Sequence, residues 1–477
     1  MKSDSAVWNL HPDRLFSSDP VQRHIAQEIY EKIYELPIFS PHGHVDPWLF
    51  SRSDSSFGTP TELFIIPDHY VFRLLYSQGI PMESLGNQGN NPDIVEKDHK
   101  RIWQAFAENY SIFRGTPSGL WLDFALNIVL DIHTRLNAET AQVIYNDIEQ
   151  KISTDEFHPR QLFEKFKIEC LCTTDSATDS LEAHQIIHES AWNGQVRPTF
   201  RPDSVINLHN PGWGKHLENL GIMSGIEIHS FSNFIRALEV RREFFKKMGA
   251  LSTDHGAASA YTDILPLNEV ESIFHRALTS EVTEQEAIRF NGHMLVEMAR
   301  MSSEDGLVMQ LHPGSFRNHS SHIFNQFGPD KGFDIPLSVE FTRNLHPLLE
   351  RFGHHPNFTI LLFTLDESTY SRELAPLAGV YPTIKLGPPW WFLDSPNGMR
   401  RYLDHVVETA GIANLAGFND DTRAFLSIPA RHDVWRRVCS DWLAEKVAQH
   451  RISLIEAKEM AQDLAIDLAR KAYRCHS

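Results

Sequence analysis

The sequence predicts an α/β fold: a (β/α)8 barrel of the TIM type carrying an inserted α-helical subdomain. Three observations predict it. Eight short apolar runs recur along the 477 residues, amphipathic stretches lie between most of them, and most runs end in polar or ionisable residues. In a parallel barrel the C-terminal strand ends build one mouth, so residues following the strands in this way would converge. The composition, 42% hydrophobic and 22% charged, is that of a globular chain with a large core.

The first element is a helix. Asp19 can cap it, Pro20 suits its first position, and Val21, Ile25, Ile29 and Ile33 recur at four-residue spacing. The eight strand candidates are PIFS (37–40), IECLC (168–172), RPTF (197–200), ALST (250–253), LVMQL (307–311), FTILLF (358–363), PTIKL (382–386) and LAGFN (415–419). Helical stretches such as SNFIRALEVRREFFKKMG and MRRYLDHVVETAGI separate them. After the runs come His42 and His44, Thr174 and Asp175, Arg201, Asp254 and His255, His312, Asp366, Trp390, and Asp421 and Arg423.

The interval 41–167 is far longer than an ordinary strand-to-helix connection. Its stretches KDHKRIWQAFAENYSIF, LWLDFALNIVLDIH and AETAQVIYNDIEQKI carry apolar residues at helical spacing. The expected organisation is therefore a first helix and strand in 1–57, a helical insertion over the mouth in 58–165, and the rest of the barrel in 166–477.

Net charge is −18 with no Lys/Arg-rich block, which argues against nucleic acid or an anionic membrane as partner. A small anionic substrate is compatible with that charge, because a local arginine pocket outweighs distant charges under screening. No apolar stretch approaches the ~20 residues of a spanning helix, and the N-terminus lacks a secretory apolar region, so a cytoplasmic protein is expected. Four cysteines are few, and Cys170 and Cys172 inside IECLC read as small buried hydrophobes.

In an extended segment residues i and i+2 share a side, so His42 and His44 of SPHGHVDP aim both imidazoles at one point. Two imidazoles so placed suit Zn²⁺ or a similar divalent ion. The third ligand expected is Asp421, after the eighth run, which closes beside the first. Asp420 competes for that role, and either could instead cap a helix beginning near Thr422. STDHG offers no lysine to bridge two metals and TLDES no histidine, so one ion is expected rather than two.

Arg201, Arg423 and Arg73 lie near the predicted mouth, where a guanidinium fork suits a carboxylate; surface salt bridges are the plainer alternative. Tyr70 could donate a phenolic proton or simply pack. His312 could be a ligand, an acid/base or a hydrogen-bond donor. Trp390 and Trp391 could wall a sugar face or cap the barrel.

The motifs HGHVDP, DHYVFR, GTPSGLWLDFAL, CTTDSATDSLEAH, FRPD, STDHG, QLHPGSFRN, GFDIP, PPWWFLD and DDTRAFLSIPARHDVWRR occur in this order from about residue 36 to 437. In this the chain resembles the uronate isomerase (glucuronate isomerase) family, a divergent branch of the amidohydrolase superfamily. The resemblance implies a barrel of the metal-dependent hydrolase kind with a helical insertion. It also implies one zinc-type ion on His42, His44 and Asp421. Further implied are aldose–ketose isomerisation of D-glucuronate, and often of D-galacturonate, with Tyr70, Arg201, Asp254, His312 and Arg423 handling the substrate.

Isomerisation moves a proton from C2 to C1 through an enediol and needs a base at carbon and a shuttle between two oxygens. Asp421 is the expected base, Tyr70 or Arg423 the shuttle, and Arg201 the grip on the carboxylate. The expected partner is a small sugar acid, bound by a homo-oligomer. Two features depart from the family pattern: glycine stands between the clamp histidines, and Pro313 follows His312, where its fixed φ could re-aim the imidazole. The alternatives are a mononuclear amide or lactone hydrolase of the same superfamily, and a catalytically silent barrel that binds a sugar acid.

Overall fold

A computed structural model describes residues 7–210 and 212–475. Seven strands follow the predicted runs: β1 (Ile38–Ser40), β2 (Ile168–Cys172, continued by Asp175–Ser176), β3 (Val196–Arg197, continued by Phe200–Arg201), β4 (Ser252–Ala257), β5 (Val308–Pro313), β6 (Ile360–Leu362) and β7 (Ile384–Leu386). Each is parallel to its neighbours in chain order. The circle closes at its last seam through backbone bonds from Asp421 N to His42 O (3.3 Å) and from His44 N to Thr422 O (2.9 Å). This is the barrel that the spacing of the runs predicts.

The eighth run departs from a regular strand. LAGFN makes a single parallel bridge, Leu415 to Leu386, and the bond from Ala416 N to Leu386 O (2.8 Å). Gly417 explains the break. Its φ is +74°, and a Cβ there would lie 2.6 Å from the backbone nitrogen of Ala469. The chain gives up ladder pairing at this point so that the C-terminal helix Leu468–Ala472 can pack against it.

That helix closes the lumen at the end away from the mouth. Phe39, Cys170, Cys172, Val308, Leu361, Phe363 and Ala416 from the strands form one buried cluster with Ile466, Ala469 and Tyr473. The Tyr473 hydroxyl donates to Gln310 Oε1 (2.7 Å), so the plug also satisfies a buried polar group. Cys170 and Cys172 are free and buried, in keeping with their apolar reading.

The first helix spans Pro20–Ile33, and Asp19 accepts from Gln22 N (2.9 Å). Ile29 and Ile33 are buried with Ala26, whereas Val21 is 63% exposed. A strict four-residue stripe drifts off a 3.6-residue face, and Val21 is where it has left the core. Between β1 and β2 the chain forms helices Pro60–Phe64, His69–Ser77, His99–Glu108, Pro117–Phe124, Ala141–Ile152 and Pro159–Lys165. Their apolar faces share a core cluster that reaches Ile38, Ile168 and Phe425. Among the described residues no helix is long and apolar enough to cross a membrane.

Candidate active site

His42 and His44 leave β1 on the same side, as period-two geometry requires. Opposite them stands Asp421, whose backbone is left-handed (φ +40°) and pinned by the two seam bonds to His42 and His44. Asp421 Oδ1 lies 3.4 Å from His42 Nε2 and 3.1 Å from His44 Nε2. Asp420 points the other way, into the wall, with Oδ2 3.2 Å from His432 Nε2. No helix begins at Thr422; the next long one is Ile428–Ala448, so neither aspartate serves as its cap.

Ligands about 2.0–2.1 Å from a tetrahedral ion stand about 3.3 Å apart, which matches both distances. Burial pushes the Asp421 carboxyl up, but the two imidazoles outweigh it and hold it well below the ordinary carboxylate range. Asp421 Oδ1 and His312 Nε2 are buried and have no hydrogen-bond partner. An anionic oxygen and imidazole nitrogens facing one gap are the donor set of a divalent ion.

His312 extends from β5, and its Nδ1 pairs with Asp254 Oδ1 on β4 at 2.7 Å. Its ring stacks on Phe363 at 4.0 Å and meets the edge of Trp390 at 4.8 Å. Pro313 does not disturb this arrangement. The ladder towards β6 ends with the bond from Phe363 N to Leu311 O, and Gly314 N resumes pairing to Ala257 O on the other side. The missing N–H of Pro313 thus falls beyond the last partner. The alternation that turns Asp254 inward turns its neighbour His255 outward, against Thr253 Oγ1. Asp175 likewise faces Thr173 and His184 outside the lumen, while Thr174 lines the mouth.

Arg201 is held by Asp203 Oδ2 (2.8 Å from Nε) and Asp254 Oδ2 (3.4 Å from Nη1). Burial alone would lower its pKa, but these carboxylates override it and keep the guanidinium charged. Tyr70 sits in the first turn of His69–Ser77, a helix capped by Asp68. Burial raises its phenol far above the ordinary range, so it remains a proton donor.

These side chains surround one cavity of about 480 Å³, lined by His42, His44, Tyr70, Arg201, Asp254, His312, Trp390, Trp391, Asp421 and Arg423. Arg73 does not line it; its guanidinium lies over the Phe392 ring, 4.9 Å from the centroid. The cavity also takes in His69, Arg317, Asp330 and Asp334, which the sequence reading had not singled out. The motifs DHYVFR, QLHPGSFRN and GFDIP hold or adjoin all four, but His69 only opens its helix and the other three lie on irregular segments that carry no periodicity. Burial pushes His69 down to about 3, leaving a neutral imidazole stacked on Tyr70 at 4.6 Å. A larger open cleft of about 1060 Å³ between Leu208 and Val282 shares only Asn210 with this cavity and holds none of the His–Asp triplet.

A parallel barrel with a His-X-His clamp after its first strand and an aspartate at its last seam is a barrel of the metal-dependent hydrolase kind. Within that class, the family model for glucuronate isomerase matches residues 17–473, and the chain belongs to this family. It is 54% identical over 465 residues to a uronate isomerase of Nostoc punctiforme, covering 98% of each chain. Its fold superposes on a crystal structure of glucuronate isomerase from Caulobacter crescentus with a TM-score of 0.96, at 46% identity and covering 99% of this chain and 98% of that one. Against a uronate isomerase structure from Thermotoga maritima the TM-score is 0.91 at 28% identity, covering 98% and 99%.

Proposed function

We propose that the protein is a uronate isomerase that interconverts D-glucuronate and D-fructuronate, and D-galacturonate and D-tagaturonate, in uronate catabolism. The observation that carries this reading is the convergence of His42, His44 and Asp421 with Tyr70, His312 and Arg201 on one cavity. Similarity to uronate isomerases over nearly the whole chain weighs against the hydrolase alternative.

His42, His44 and Asp421 would hold one divalent ion, zinc by the chemistry of the donors. Such an ion polarises sugar oxygens and stabilises developing negative charge. The ionised Asp421 carboxylate takes the C2 proton and returns it to C1. Tyr70, kept protonated, moves the proton between O1 and O2, which leaves Arg423 to meet an anionic group of the sugar acid. Asp254 fixes Nδ1 of His312 and leaves Nε2 facing the sugar. Arg201 meets the carboxylate. Trp390 and Trp391, their rings inclined at 50°, give the sugar chain an apolar wall.

The same reading places the enzyme in the cytoplasm as a homo-oligomer, with residues 58–165 as a helical roof distinct from the barrel of 1–57 and 166–477. The inserted helices share one apolar core, which runs on into Ile38, Phe50, Leu171 and Phe425 of the flanking segments. Incubation with D-glucuronate and with D-galacturonate, followed by NMR, tests the activity: ketose forms from at least one, and its absence from both refutes the proposal. Metal analysis tests the clamp. Wild type retains one zinc per chain after gel filtration, and His42→Ala retains essentially none.

A further inference from the structure

Arg201, Arg317 and Arg423 line the cavity, more guanidinium groups than a single substrate carboxylate requires, and each already faces a carboxylate belonging to the chain itself. Asp330 lies on the loop between helix Ser321–Phe327 and the short strand Ile335–Pro336, and it lines the cavity. Its Oδ2 is 3.3 Å from Arg423 Nη2, and among the described residues this is the one ion pair that either side chain makes. Elsewhere in the cavity lining, Arg201 Nη2, Asp203 Oδ2 and Arg317 Nη2 lie 2.9, 2.9 and 3.9 Å from where a Cβ on Gly256 would stand. The absence of a side chain at Gly256 is what lets both guanidinium groups close on that spot.

The loop is built to hold an awkward shape. Gly328, Asp330 and Gly332 all have positive φ (79°, 60° and 77°), and Asp330 is the one of the three with a Cβ. A left-handed backbone strains a residue that carries a Cβ, although aspartate adopts it more readily than most. Gly332 passes so near His69 that a Cβ would stand 2.9 Å from its carbonyl oxygen, which ties the loop to the helix carrying Tyr70. Burial raises the Asp330 carboxyl, but Arg423, Arg317 and Arg201 together pull it below the ordinary value, so it is a full negative charge in the mouth.

We propose that Asp330 is an internal stand-in for the substrate carboxylate: it occupies the arginine-lined end of the cavity and must leave Arg423 before a sugar acid settles there. The side chains of Arg423 and Asp330 are 38% and 59% exposed, so the pair is weak and easily exchanged. A stand-in of this kind keeps the arginine charge compensated in the empty enzyme. It also sets the affinity for anionic ligands without touching neutral ones.

The inference rests on the isomerase reading for the identity of the ligand, and its test uses a ligand that cannot isomerise. Calorimetry measures binding of D-gluconate, a six-carbon monocarboxylate, and of uncharged sorbitol to wild type, Asp330→Asn, Asp330→Ser and Asp330→Glu at low ionic strength. The two uncharged variants bind D-gluconate about two- to fivefold more tightly than wild type. Asp330→Glu behaves like wild type, and sorbitol binding is the same in all four proteins. The proposal is overturned if D-gluconate binds both uncharged variants no more tightly than wild type, if no variant binds it, or if sorbitol tightens equally. Tighter D-gluconate binding by a protein that forms no ketose would refute the isomerase reading alone. Ketose formation with unchanged D-gluconate binding would refute the stand-in alone.

Discussion

Asp421 shows how little of a site lies in residue identity alone. Two consecutive aspartates end the eighth run, and only the left-handed backbone of Asp421, fixed by the seam bonds, turns its carboxylate to the histidines and sends Asp420 to His432. The clamp itself was legible, because i and i+2 in an extended segment share a side whatever surrounds them. The choice between Asp420 and Asp421 was not, since it depends on a local φ that strand periodicity does not encode. Arg317 and Asp330 escaped for a related reason: they sit on turns, where no period gives a direction, and His69 is the first residue of a helix whose apolar stripe begins only after it.

A second buried cluster of titratable groups gives a pH prediction at the same scale. Burial lifts the Asp175 carboxyl from 3.8 to about 7 and lowers the His184 imidazole from 6.5 to about 4. Asp175 holds a proton in the folded chain that the unfolded chain releases above about pH 4, so its contribution is full below that value and lost as pH rises through 7. His184 works oppositely, its contribution being lost as pH falls from 6.5 towards 4. The two slopes cancel over most of that range. Asp175→Asn removes one of them, so its stability relative to wild type rises by about 1.4 kcal/mol per pH unit between 4 and 7. Urea unfolding of both proteins at pH 5 and 6.5 checks this, and a constant difference would count against the assigned burial effect.

At the scale of elements, the strand positions were readable because short apolar runs bounded by polar residues leave few alternatives. The eighth run misled in one respect: its apolar pattern is that of a strand, but Gly417 hands its backbone to the C-terminal helix. Gly417→Ala therefore destabilises by about 2–4 kcal/mol, from the positive φ and the contact with Ala469 together. Denaturant unfolding measures it. The plug can be tested from its other side. Tyr473→Phe leaves Gln310 Oε1 without its buried donor and costs about 1–3 kcal/mol, with little effect on the cavity residues.

Over the whole molecule, chain order maps onto barrel order, which is why residues scattered from His42 to Ala424 meet in one cavity. The net charge of −18 says little about the ligand, because the charge that matters is concentrated in Arg201, Arg317 and Arg423 within a few ångströms of the mouth. Two features of the assembly lay beyond sequence reading. The arginines arrive already compensated by Asp203, Asp254, Asp330 and Asp334, and Arg73, close to them in motif, stays outside. Ion-pair partners of this kind depend on side-chain directions that only the closed barrel fixes.

The central claim is that this cavity moves a proton between C2 and C1 of a uronate with Asp421 as base. Zinc-loaded wild type and Asp421→Asn, incubated with D-glucuronate in D₂O and followed by ¹H NMR, test it most directly. Wild type forms ketose while the H-2 signal of the sugar disappears, and Asp421→Asn is slower by about 10²–10⁴-fold. Normal turnover by Asp421→Asn, or no ketose from wild type, would contradict the account.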